Sequence, residues 1–191
     1  MRRIGLFGGS FDPVHRGHLL VAEAAREELE LDRVFFIPAA RSPFKPANEP
    51  APDPLRAAML RLALGGQTWG EVDEQEFHRG GVSYTVDTVR AYAKRFPDAE
   101  LFWLIGADNV AKLPEWHRAT ELAALTQFVA IPRPGETAIS FPAPFCGRML
   151  KGFPFGVSSS QIRARVKAGL PIAQLVPATV AETIRNHQLY V

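Results

Sequence analysis

A single cysteine, Cys146, excludes an intrachain disulfide and fits a reducing compartment. No apolar run approaches the roughly 20 residues that a membrane-spanning helix requires. The N-terminal stretch lacks the apolar core and cleavage site of a secretory leader. Charge of one sign is scarce as well. The 22 Lys and Arg nearly balance the 20 Asp and Glu, and the excess of +2 is spread along the chain. That is too little for a nucleic-acid-binding surface. There is no internal repeat, and low complexity is confined to Pro-rich loops. What remains is 191 residues, 47% hydrophobic and 22% charged, enough for one globular domain over 1–191 with a full core. The expectation is a cytoplasmic protein that binds neither membrane nor nucleic acid, with room for a homo-oligomer.

The stretch around which the chain is organised is Gly8-Gly9-Ser10-Phe11-Asp12-Pro13-Val14-His15-Arg16-Gly17-His18. An apolar run, Ile4 to Phe7, precedes it, and a helical pattern from Leu19 to Ala25 follows. Strand, Gly-rich turn and helix start in that order leave free backbone N–H groups facing whatever sits above the strand end. The glycines let an anion approach the backbone, and histidines three apart share one helix face. No Lys-Ser or Lys-Thr follows the glycines, so this is not a P-loop. G-x-G-x-x-G is also missing, which excludes the dehydrogenase fingerprint. The residues read as a phosphate site with imidazole donors added. Two other readings exist: helix-capping histidines, or a metal pair. A metal would need a third ligand from His78, His117, His187 or Cys146, none at a recognisable spacing, so no protein-bound metal is expected.

Further along, residues 3–8 and 33–37 read as buried strands around a helix whose Val21, Ala25 and Leu29 face the sheet, a parallel βαβ unit. The loop from Pro38 to Pro46 leaves a strand's carboxyl end, so Arg41 and Lys45 are candidates to reach phosphates, unless they are incidental charges on an exposed loop. Asp53-Pro54 opens a helix with Asp53 as N-cap and Leu55, Met59 and Leu62 as its apolar stripe. Residues 71–77 read as a polar edge strand whose acidic run is solvated. Ser83-Tyr84-Thr85 leads into a helix bearing Val86, Val89, Ala93 and Phe96. This junction either caps itself through Ser83 or Thr85, or offers its N–H groups to a carboxylate.

Residues 100–105 form a central strand that ends beside Asp108, a candidate acceptor for ribose hydroxyls. Trp116 either stacks on a flat base or, as isolated tryptophans more often do, belongs to the core. Residues 127–131 form the next strand, followed by Arg133-Pro134-Gly135. No periodicity governs 136–156, which reads as loop with room for one short strand. Ser158-Ser159-Ser160-Gln161-Ile162-Arg163 starts a helix whose hydroxyls, N–H groups and guanidinium suit phosphate, unless Ser158 is a plain cap and Arg163 a surface charge. A last helix from Pro177 puts Val180, Ile184 and His187 on one side. The fold class is α/β, a Rossmann-like doubly wound parallel sheet of about five strands.

Gly8 to His18 resembles the signature of the His-x-Gly-His nucleotidyltransferase superfamily. Adding Pro43-Phe44-Lys45, Ser83-Tyr84-Thr85, Gly106-Ala107-Asp108, Pro114-Glu115-Trp116, Arg133-Pro134-Gly135, the serine cluster and the ending Val176-Pro177 to Leu189-Tyr190, nearly the whole chain resembles the nicotinate-nucleotide adenylyltransferases. The chain departs from the family where Ser160 replaces a frequent Thr and His117 a second aromatic. The resemblance implies transfer of the adenylyl group of ATP to nicotinate mononucleotide, with Mg²⁺ carried on ATP. It implies His15, His18, Lys45 and Arg163 as catalytic residues. ATP would be bound by Gly8, Gly9, Ser10, Phe11, His15, His18, Asp108, Ser158, Ser159, Ile162 and Arg163. Nicotinate mononucleotide would be bound by Ser10, Lys45, Ser83, Tyr84, Thr85, Asp108, Trp116 and Arg133. The rivals are the nicotinamide-mononucleotide and phosphopantetheine adenylyltransferases, and a non-catalytic nucleotide-binding protein on the same fold. Residues 157–191 would form a C-terminal helical part carrying the serine motif.

Overall fold

The structure, a computed structural model, describes residues 1–43, 50–132, 135, 138–152 and 156–191. In chain order the elements are β1 (Arg2–Gly9), α1 (Arg16–Glu28), β2 (Arg33–Pro38), α2 (Asp53–Ala63), β3 (Gly70–Val72), α3 (Gln75–Arg79) and α4 (Thr85–Arg95). Then come β4 (Ala99–Gly106), a 3₁₀ segment (Ala107–Glu115), α5 (Ala119–Leu125), β5 (Gln127–Ile131), β6 (Gly147–Met149), α6 (Ser159–Lys167) and α7 (Ala178–Asn186).

The strands form one six-stranded sheet in the order β3-β2-β1-β4-β5-β6. Every pairing is parallel. Past their charged first residues the central strands are apolar, because helices cover both faces. Side chains alternate between two cores, as strand geometry requires. Phe7, Val34, Phe36, Phe102, Leu104 and Val129 pack under α1, α2, α6 and α7. Leu6, Phe35, Ile37, Trp103, Ile105 and Phe128 pack under α4, α5 and the 3₁₀ segment. At roughly 25 cal/mol per Å² of apolar surface removed from water, these two layers supply most of the drive to fold.

Several local readings need correction. The sheet has six strands, β6 being the short one within 136–156. The polar stretch 71–77 is a strand only through Val72; its second part turns into α3, which buries Glu76. Asp53 lies inside α2, with Pro52 as its N-cap, and its carboxylate pairs with Arg56. The buried stripe of α2 runs through Arg56, Met59 and Leu60, while Leu62 is exposed. On α1 the sheet-facing residues are Ala22, Ala25 and Leu29; Val21 is half-buried and lines the cleft. His187 is the exposed C-cap of α7 and does not join Val180 and Ile184.

Candidate active site

The strand order reverses between β1 and β4, whose following helical segments lie on opposite faces. That geometry leaves a crevice at the carboxyl ends of the strands. A cavity of about 900 Å³ occupies it. It brings together Gly8, Gly9, Ser10, Phe11, His15, His18, Ser83, Thr85, Asp108, Trp116, Ser158, Ser159 and Arg163. Tyr84 lines a smaller adjoining cavity of about 260 Å³ with Pro43, Thr85, Glu115, Trp116 and His117. Lys45 and Arg133 lie outside the described residues. Ile162 points the other way: its side chain is fully buried in the core, because its α6 position faces the sheet, so any ligand contact could come only from its backbone.

One half of the cleft is built on the turn after β1. Gly8 is required there by packing: a Cβ would come within 2.5 Å of the Trp103 ring. Phe11 takes the left-handed conformation, φ 46°, which a side chain seldom adopts. Its ring is fully buried and meets the His18 ring edge-on at 4.9 Å. His15 caps α1 and His18 follows as its third residue, with the two imidazoles stacked at 3.7 Å. The His15 backbone N–H donates to His18 Nδ1 at 3.2 Å. In the neutral ring that bond leaves the His18 proton on Nε2, making Nε2 a donor. Burial lowers the pKa of His15 from 6.5 to about 4, so it is neutral near pH 7. His15 Nδ1 is buried with no hydrogen-bond partner among the described residues.

The start of α6 is fastened to the same turn. Ser158 is its cap, its hydroxyl accepting the Gln161 N–H while Gln161 Oε1 accepts the Ser158 N–H. The Ser159 hydroxyl donates to the Pro13 carbonyl at 2.9 Å, which fastens the first residue of α6 to the turn. Arg163 donates to the Asp12 carbonyl at 2.7 Å. Two helix starts, two imidazoles and a guanidinium thus meet on one turn.

The principal supports of this half escape sequence reasoning. Arg56 is fully buried and donates to the carbonyls of Ala51, Ser10 and Ala39, tying the loops after β1 and β2 to α2. The one available signal was a charge three and four residues from Met59 and Leu60 on the apolar stripe. The Asp12 carboxylate, also buried, accepts from the Ala51 N–H at 3.1 Å and from the Tyr190 hydroxyl at 2.6 Å. Across the cleft, at the start of α4, Glu76 forms the floor beneath Ser83 and Thr88, both of which donate to it; burial raises its pKa.

The other half is looser. Tyr84 caps α4 with no side-chain hydrogen bond. The Ser83 hydroxyl is taken up by the Ala40 N–H at 3.0 Å, so neither Ser83 nor Thr85 caps the helix and its first N–H groups have no side-chain cap. Tyr84 lies against His117 at 4.3 Å with the rings tilted by 31°, and Trp116 stands edge-on to Phe128 at 6.3 Å. Among the described residues no three His, Cys, Asp or Glu side chains are grouped to hold a metal, and no helix is long and apolar enough to cross a membrane.

The sequence model of the cytidylyltransferase-like family matches residues 6–165. A protein of Opitutus terrae named "Probable nicotinate-nucleotide adenylyltransferase" is 40% identical, the alignment covering 98% of this chain and 97% of that one. A Bacillus licheniformis protein of the same name is 39% identical, with coverage of 100% and 99%. Among solved structures, the Plasmodium falciparum nicotinic acid mononucleotide adenylyltransferase complexed with NaAD superposes with a TM-score of 0.82 at 17% identity, covering 100% of this chain and 98% of that one. That last likeness speaks for the fold. The identity along the full length speaks for descent, and the chain belongs to the nicotinate-nucleotide adenylyltransferase family.

Proposed function

We infer that the protein transfers the adenylyl group of ATP to nicotinate mononucleotide, releasing pyrophosphate and forming nicotinate adenine dinucleotide in NAD biosynthesis. The observation that carries this reading is the meeting of the α1 and α6 starts on the turn at Asp12 and Pro13. Helix N-termini attract anions through free N–H groups and their dipole, and two of them on one turn suit a polyphosphate. The working unit is one nucleotidyltransferase domain over 1–191, acting in the cytoplasm without nucleic acid or membrane.

The acceptor's 5′-phosphate oxygen attacks the α-phosphorus of ATP, and the bond to the pyrophosphate oxygen breaks. The attacking group is already an anion, so no protein nucleophile or base is needed. Catalysis is then positioning and stabilisation of charge at the phosphorus. The His18 Nε2–H suits the transition-state oxygens. His15, neutral when the site is empty, can take up a proton as phosphate charge arrives beside it. Arg163 and the N–H groups at the α6 start suit the β- and γ-phosphates, Gly8 to Phe11 the nucleotide backbone, and Asp108 a ribose. Lys45 and Arg133 remain proposed cationic contributors. Magnesium enters as part of the ATP substrate.

On the acceptor side, the uncapped start of α4 offers N–H donors to a carboxylate, and Trp116 and Tyr84 offer ring faces to the pyridine. An amide would set its own NH₂ against those donors and leave one unpaired, at about 1–3 kcal/mol. Pyrophosphate release should therefore favour nicotinate over nicotinamide mononucleotide by at least about tenfold in kcat/KM, with phosphopantetheine inert. Equal use of the two mononucleotides would remove the acid-selective pocket.

A further inference from the structure

Beyond the end of α7 the chain bends back on itself. Gln188 and Tyr190 both take left-handed backbone, φ 50° and 66°, a conformation that non-glycine residues seldom hold unless packing pays for it. The Leu189 N–H closes on the Ile184 carbonyl at 3.0 Å, and Leu189 and Tyr190 pack on the core beneath α1, α2 and α6. The result brings the Tyr190 hydroxyl 2.6 Å from Asp12 Oδ1, across 178 positions of sequence.

That oxygen is doubly occupied, since the Ala51 N–H donates to it as well. The second oxygen, Oδ2, stands 3.7 Å from Arg163 NH1, a loose ion pair. Left to themselves, an aspartate and an arginine close into a two-pronged fork. Here Arg163 instead directs NH1 to the Asp12 carbonyl at 2.7 Å and NH2 to Ser160 Oγ at 3.4 Å, and still lines the cleft. Burial and the neighbouring Asp12 carboxyl push the pKa of the Tyr190 hydroxyl up, so it stays a donor.

We propose that Tyr190 is a positioning residue of the triphosphate site: by occupying Asp12 Oδ1 it keeps the Arg163 guanidinium from folding onto Asp12 and leaves it facing ATP. The proposal rests on the reading of Arg163 as a triphosphate ligand. Without the hydroxyl, Oδ1 becomes available to a second Arg163 N–H, and the guanidinium is drawn back from the cleft.

The test is calorimetric titration of magnesium–ATP into four proteins: wild type, Tyr190→Phe, Arg163→Ala and the double variant, with KM for nicotinate mononucleotide measured alongside. Tyr190→Phe keeps the ring and its packing, so it retains the fold. It should weaken ATP binding by about three- to tenfold, one hydrogen bond's worth, with KM for the acceptor unchanged. Arg163→Ala should weaken ATP binding at least as much, and adding Tyr190→Phe to it should do nothing more. If Arg163→Ala weakens ATP but Tyr190→Phe does not, Tyr190 is only structural and the proposal falls alone. An undiminished Tyr190→Phe effect in the Arg163→Ala background also overturns it. If Arg163→Ala binds ATP normally, the underlying reading of Arg163 fails and takes the proposal with it.

Discussion

The two halves of the cleft are held by different forces. Around the turn at residues 8–18, polar atoms are fixed by hydrogen bonds: Arg56 on three carbonyls, Asp12 on Ala51 and Tyr190, Ser159 on Pro13. Around Tyr84, Trp116 and His117 the walls are ring contacts at 4.3 and 6.3 Å, with an uncapped helix start beside them and hydrogen bonds only behind, at Ser83. Charge that develops during a reaction is best stabilised by dipoles that need not move. A flat ring needs apolar faces, which tolerate small shifts in position. On the proposed reading, the difference in construction follows the difference in cargo.

Four experiments would break or sharpen that contrast. Arg56→Met should have the largest effect. The buried Ala51 carbonyl and the part-buried Ser10 and Ala39 carbonyls lose their donor, the buried one at about 1–3 kcal/mol and the others at less, so urea unfolding should show a loss above about 2 kcal/mol, whereas His117→Ala on the looser half should cost less than about 0.5 kcal/mol. Equal losses would erase the contrast. His18→Ala should lower kcat by about 10²–10³-fold with little change in KM for ATP, as for a donor aimed at transition-state charge. A near-normal kcat in steady-state assays would take that role from His18.

Acid stability comes next. Because His15 titrates near 4 when folded and near 6.5 ordinarily, the unfolded chain binds the extra proton first as pH falls. The stability due to neutral His15 is complete above 6.5 and drains away between 6.5 and about 4, amounting to at most about 3 kcal/mol. Denaturation profiles of wild type and His15→Gln should differ in slope across that window; parallel profiles would show that His15 is not buried neutral. The smallest effect is expected from Trp116→Ala. Loss of stacking worth about 0.5–1.5 kcal/mol should raise KM for both mononucleotides by a few-fold and leave their ratio intact. A changed ratio would mean that the ring also reads the substituent.

The contrast explains what could be read from the sequence. Strands β1, β2, β4 and β5 were legible because burial on both faces makes continuous apolar runs. That residues 8–18 and 158–163 line one cleft was legible because each set is contiguous and opens a helix. Its supports were not, since nothing near Asp12 in sequence announces Ala51 or Tyr190, and a single arginine on an apolar stripe looks like a surface charge. Residues 71–77 defeated the strand reading because three residues of edge strand and a one-turn helix share one polar run. The acceptor half was only partly legible: aromatic residues are usually core, and only the fold brings Tyr84 to His117.

The Asp12 carboxyl has a kinetic consequence. Its partners lie 39 and 178 positions away, and its carbonyl is bonded to a residue 151 positions away. Contacts so distant along the chain close late, because their loop entropy is offset only once much of the molecule is in place. Apart from the pairing of β1 with β4, the sheet joins strands that are neighbours along the chain, whereas the turn after β1 is closed by its most distant contact, to Tyr190. During refolding, the return of ATP binding should therefore trail the return of strand signal and coincide with the docking of α7, making substrate binding a clock for the last closure of the fold.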